Sequence, residues 1–181
     1  MKRIGALFFT TVLATTGCSS EGDAFRLNVS EGADCGPAPV AGASILTFGA
    51  VGRSEASEDI RVTGVALADA DGAELVGAAV WAGDHRTPGV VTGWPPVLDG
   101  KPYPGWEATQ EPGDAVVAPG ERLTVSFGVR RTGESYGVVR ALRITYEVGG
   151  RTAQQEARYQ WFLAPTSCLD LEPFQFVDKD D

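Results

Sequence analysis

Histidine and methionine are nearly absent from this 181-residue chain: His85 is the single histidine and Met1 the single methionine. A metal centre needs several His, Cys, Asp or Glu side chains at ligand spacing. No metal and no cofactor is therefore expected, and His85, beside Asp84, reads as a loop residue. Asp69-Ala70-Asp71-Gly72 opens like a calcium-binding loop but lacks the distal glutamate and following helix of that pattern. An Asp-Gly hairpin turn is the simpler reading. There is no G-x-S-x-G elbow, and a Ser-His-Asp triad would depend on His85 alone. Gly149-Gly150 lacks the lysine and helix of a phosphate loop. The chemistry left for an enzyme is a carboxylate pair, as in glycoside hydrolysis. Among 24 acidic residues the sequence singles out no pair, so a hydrolase is the weakest of three functional readings and the chain is read as a non-enzyme.

Basic residues are also in deficit, 15 against 24 acidic, for a net charge of -9. Nucleic acid needs clustered Lys and Arg, so it is excluded as a partner; electrostatic binding to anionic lipid is disfavoured on the same ground. Long apolar runs are missing too. Ile4–Ala14 has eleven residues, whereas a helix needs about 20 to span a bilayer.

What is present begins at the N-terminus. Lys2 and Arg3 precede that apolar run, the pattern of an export signal. Leu13-Ala14-Thr15-Thr16-Gly17-Cys18 then resembles the lipobox of bacterial lipoproteins, with Thr15 where the pattern usually has an aliphatic residue. The resemblance covers about the first 20 residues. It implies cleavage before Cys18 and a diacylglycerol on its sulfur, whose two acyl chains, of the palmitate kind, are the two signals that stable attachment requires. The chain would then be exported and held to the cell membrane or outer membrane on the extracytoplasmic side. The expected layout is a signal peptide over 1–17, a lipidated tether over 18–34, a β-domain over 35–168 and an acidic tail over 169–181. Within the tether, 24–29 has the composition of an edge strand, and Asn28-Val29-Ser30 matches a glycosylation sequon that a bacterial lipoprotein would ordinarily leave bare. Three cysteines is an odd number. Lipidation of Cys18 leaves Cys35 and Cys168 to pair in an oxidising compartment.

The 23 glycines and 11 prolines suit a turn-rich β protein. Leu142, Ile144, Tyr146 and Val148 alternate with Arg143, Thr145 and Glu147, a period of two. Gly149-Gly150 supplies two residues tolerant of positive φ, as a type I′ hairpin turn requires. Pairing across it sets Val148 opposite Arg151, Ile144 opposite Gln155, Leu142 opposite Ala157 and Arg143 opposite Glu156. Thr152–Arg158 is rich in helix formers, so a short helix remains open there. Arg140 falls on the apolar face, where it would snorkel at the strand end. Further strands are expected at 44–51, 60–67 with a bulge at Gly64, 74–81 and 122–130. Such spacing, with Gly/Pro turns between, predicts an all-β sandwich of seven to nine strands. It resembles the immunoglobulin fold in architecture only. Its cysteines sit near the domain ends instead of pinning the sheets beside a tryptophan, and the likeness implies no activity.

Gly83–Gly113 breaks the pattern with six prolines and six glycines, so it is loop with a short strand at 90–92. A loop this long in a small domain is usually functional or disordered, and Trp94, Tyr103 and Trp106 argue for order. Two readings stand. The rings form a platform for sugar rings or a groove for an extended peptide, or they fold back as a satellite core over a sheet. The first makes the chain a binding module for an envelope protein or glycan; the second makes it a structural envelope lipoprotein.

Overall fold

The structure is a computed structural model that describes residues 24–27, 32–84 and 89–170. Cys18, the sequon, His85 and the tail beyond Asp170 lie outside the described residues, as does most of the tether. The described residues form twelve strands: β1 Phe25–Leu27, β2 Ala33–Pro37, β3 Ile45–Ser54, β4 Ile60–Asp71, β5 Ala73–Ala82, β6 Val91–Thr92, β7 Val97–Leu98, β8 Lys101–Pro102, β9 Val116–Val117, β10 Arg122–Arg131, β11 Gly137–Val148 and β12 Arg151–Ala164. Seven of them have five residues or more, and the rest are two- or three-residue additions at the edges. Two 3-10 turns, Trp106–Ala108 and Cys168–Asp170, complete the list.

The strands make the expected sandwich. Sheet A runs β5-β10-β3-β6-β7-β8, with β1 also paired to β3; sheet B runs β2-β12-β11-β4-β9. Alternation selects the facing sides. Phe48, Val125, Phe127 and Val129 of sheet A meet Val62, Leu142, Ile144, Trp161 and Leu163 of sheet B in one buried cluster. Phe127 and Trp161 touch edge to face, ring centroids 5.0 Å apart. Pairing is antiparallel except where β2 runs parallel to β12.

The β11–β12 hairpin has the expected register at all four predicted pairs, and Arg143 reaches Glu156 at 3.0 Å. Thr152–Arg158 is strand throughout. Its polar residue on the core side, Gln155, is satisfied: Nε2 donates to the Phe25 carbonyl at 2.6 Å and Oε1 accepts from Phe25 N–H at 3.2 Å. Phe25 is fully buried against Tyr146. The packed domain thus takes in Phe25–Leu27 and Ala33-Asp34, inside the stretch assigned to the tether, because Phe25 fills the core beside Tyr146.

Two expectations are corrected. Against β4, Arg140 is the extra residue of a bulge between Val139 and Ala141. The bulge takes it out of the alternation, and it pairs with Asp69 at 3.2 Å. Asp71-Gly72 is not a hairpin turn, since β4 and β5 lie in different sheets. Gly72, at φ 59°, is where the chain crosses between them; a Cβ there would meet the Tyr136 carbonyl at 2.9 Å. The bulge expected at Gly64 is present, with Thr63 beside it left out of the pairing to β11, and a second shift in β4 leaves out Ala68.

The β10–β11 connection, which also passes between the sheets, is tied to the segment after β2 by Arg131, whose side chain is buried. It donates to the carbonyls of Ala38 (3.0 Å), Pro39 (3.0 Å), Ser135 (3.1 Å) and Gly133. A planar five-donor group can satisfy several acceptors from two loops at once.

Cys35 and Cys168 form a disulfide across a sequence separation of 133 residues. It joins β2 to the turn after β12 and closes nearly the whole domain.

Candidate functional site

A strand buried on both faces shows that something covers its outer side. In β10 the core-facing Leu123, Val125, Phe127 and Val129 are buried, but so are Thr124, Ser126 and Gly128 between them. The cover over this outer face is the proline-rich loop. Thr47 of β3, also facing outward, donates its hydroxyl to the Gly93 carbonyl at 2.6 Å and ties the loop down. The short β6 continues the sheet by pairing with Leu46-Thr47 of β3. Gln110 closes the far side of the loop by bridging to Val80.

Trp94 is seated directly on the sheet. Gly77 and Gly128 are cross-strand partners in β5 and β10. A Cβ at Gly77 would fall 2.2 Å from Trp94 Nε1, and one at Gly128 would fall 2.7 Å from Trp94 Cε3. These two glycines leave the space the indole occupies.

The three loop aromatics singled out in the sequence come together, and a fourth joins them. Trp94 meets Trp106 edge to face at 5.1 Å. Trp106 meets Trp81 of β5 at 5.4 Å, and Trp81 meets Tyr103 at 6.2 Å. Trp81 is buried, and its indole N–H donates to the Gly105 carbonyl at 3.0 Å. Trp94, Tyr103 and Trp106 are half-buried. Each therefore packs on the domain while leaving part of its surface to solvent. Trp81 escaped the sequence reading because it lies in a strand. The signal for it was there in Gly77, Ala79 and Trp81, two small residues and one large one on the same outward face.

Electrostatic perturbation lies elsewhere. Asp34 of β2 is half-buried; loss of hydration pushes its carboxyl up, and a hydrogen bond with Tyr159 partly offsets this. Tyr159 is raised in turn by burial first and by the Asp34 charge second. Both sit at the β2–β12 edge, away from the aromatic loop. Among the described residues, no group of three or more His, Cys, Asp or Glu is placed to hold a metal, and no helix is long and apolar enough to cross a membrane.

No family model and no curated protein matches the chain. Among solved structures, the chain is similar to a Vibrio cholerae VesB protease at 8% identity and TM-score 0.38, over 77% of this chain and 32% of that one. It is also similar to an ASH / PapD-like domain of human CEP192 at 6% identity and TM-score 0.38, over 92% of this chain and all of that one. Likeness at this level bears on neither activity nor partners.

Proposed function

We propose that this chain is an exported lipoprotein, held at the membrane through Cys18, whose sandwich is a binding module in the cell envelope. The contact surface is the aromatic layer on the outer face of sheet A. The observation that carries this reading is the half-buried state of Trp94, Tyr103 and Trp106 on one rigid sheet face. Aromatic rings held by a scaffold offer large contact area at little entropic cost. An envelope glycan or an extended peptide suits such a surface.

A second reading has its own support. Trp94 fills the space over a glycine pair and Trp81 is buried, as in a structural cover with no ligand. Crosslinking and pull-down from intact cells separates the two, with the Trp94→Ala/Trp106→Ala form as control and its folding checked by circular dichroism. A binding module loses partners in the folded double variant. Recovery of the same partners with both forms supports the structural cover. The anchor is tested separately: globomycin should cause the unprocessed precursor to accumulate, and indifference to the drug would rule out lipidation of Cys18.

A further inference from the structure

Like charges placed directly opposite one another on adjacent strands are destabilising. Sheet A nevertheless sets three arginines side by side. Arg26 of β1 pairs in register with Arg53 of β3, and Arg53 pairs in register with Arg122 of β10. Directly paired residues share a face, so the three guanidinium groups line up across three strands, over about 10 Å at ordinary strand spacing. All three are exposed, in a protein whose net charge is -9. Together with Gly52 and Glu55 they line a cleft of about 310 Å³.

Among the described residues, the row is only weakly neutralised. Arg53 Nη1 donates to the Gly120 carbonyl at 2.8 Å. Arg122 meets Asp84 at 3.4 Å, but the Asp84 side chain is 85% exposed, and such a pair is screened and contributes little. Among the described residues, Glu55 is the other carboxylate at the cleft.

The row also lies on the same face as the aromatic layer. Trp81, Thr124 and Val51 form the next outward row of pairs, two residues from the arginines and about 7 Å along the strands. From Gly128, under Trp94, to Arg122 is six residues of β10, about 20 Å. The half-buried rings and the exposed arginines therefore lie on one outer face of the sheet, separated by the single row of Val51, Thr124 and Trp81.

We propose that this face binds an acidic polysaccharide, whose sugar rings stack on Trp94, Trp106 and Tyr103 and whose anionic groups sit on Arg26, Arg53 and Arg122. The proposal rests on the binding-module reading and names the ligand class for it. Guanidinium groups recognise carboxylate and phosphate alike by charge-assisted, bidentate hydrogen bonds, so the shared chemistry is a sugar chain bearing either anion. An overall acidic protein repels polyanions at long range. That favours a ligand that also makes the aromatic contacts.

The test measures binding to the full-length protein in detergent by calorimetry. Its probes are oligogalacturonate, a sugar-substituted glycerol-phosphate polymer, neutral galactan oligomers of matched length, and polyglutamate. At least one acidic glycan should bind, with affinity falling as salt rises, and the better of the two identifies the anion. Arg53→Gln should weaken that binding about tenfold or more, as expected for one lost charge-assisted bond. Its melting temperature should change little, because relief of the like-charge contacts with Arg26 and Arg122 offsets loss of the exposed hydrogen bond to the Gly120 carbonyl; a merely structural arginine would lower it clearly. Failure of both acidic glycans to bind, or equal binding of neutral galactan or of polyglutamate, overturns the proposal. So does an Arg53→Gln protein that binds normally. If the glycans fail while the Trp94→Ala/Trp106→Ala form still loses its crosslinked partners in cells, the binding module stands and this ligand class falls alone.

Discussion

Replacing Gly77 with alanine tests whether the aromatic layer is seated on the sheet. The new Cβ would lie 2.2 Å from Trp94 Nε1, 2.6 Å from Cε2 and 3.0 Å from Cζ2. The indole has little room to yield, since its other contacts include the edge-to-face Trp106 at 5.1 Å. Overpacking of this kind costs about 1–3 kcal/mol. Alanine in a strand interior gains back about 0.5–1 kcal/mol over glycine. The expected net loss is about 1–2 kcal/mol in urea unfolding followed by tryptophan fluorescence, or about 3–6 °C in melting temperature for a domain of this size. The second arm repeats the substitution in a Trp94→Ala background. There the clash is gone and only the strand gain remains, so Gly77→Ala should be neutral or stabilising. The two arms should differ by about 1.5–3 kcal/mol of coupling. Additivity within about 0.5 kcal/mol would mean that Trp94 does not rest on Gly77, and both the cover and the binding surface would lose their foundation.

Three further outcomes follow from the scaffold. A Cys35→Ser/Cys168→Ser form should be less stable by up to about 5 kcal/mol in the chain-entropy account of so long a loop, read as a lower urea midpoint; an unchanged midpoint would mean the bridge does not constrain the unfolded chain. Arg131→Met removes the donor to four carbonyls and should cost at least about 3 kcal/mol. Arg131→Lys should recover little of this, because one ammonium cannot span acceptors on two loops, and full recovery by lysine would refute that geometry. Asp34 has a raised folded-state pKa, so the folded protein holds its proton more tightly than the unfolded chain. Stability should therefore fall as pH rises from the ordinary value of 3.8 through the raised one. Asp34→Asn should flatten that slope in denaturant midpoints measured from pH 3 to 7, and an unaltered slope would assign the effect to another group.

The hairpin could be read to the residue because its two determinants are local: a period of two and a Gly-Gly turn. Where the same local signal serves two structures, reading failed. Asp71-Gly72 marks a reversal inside one sheet or a crossing between two, and the choice depends on which strands β4 and β5 pair with. Arg140 looked core-facing because a bulge shifts the parity without any mark of its own. The loop aromatics were legible as a group because tryptophan is uncommon in disordered loops, but their seat was not. Gly77 and Gly128 are 51 residues apart in the sequence and become a site only when β5 and β10 pair. The arginine row is the extreme case, built from three strands distant in sequence.

The packing of Trp94 bears on both functional readings at once. An indole pressed onto two glycines is held in one orientation whether or not a ligand ever meets its exposed part, so the packing that supports a structural cover is equally compatible with recognition. Held rings have already lost the freedom that binding would otherwise cost them. The seat over Gly77 and Gly128 is what a recognition surface requires as well as what a cover requires. The difference between the readings lies in what the sheet places next to the rings. A cover needs nothing there. A recognition surface needs groups that choose a partner, and in the proposal made above the arginines aligned in register on the same face take that part.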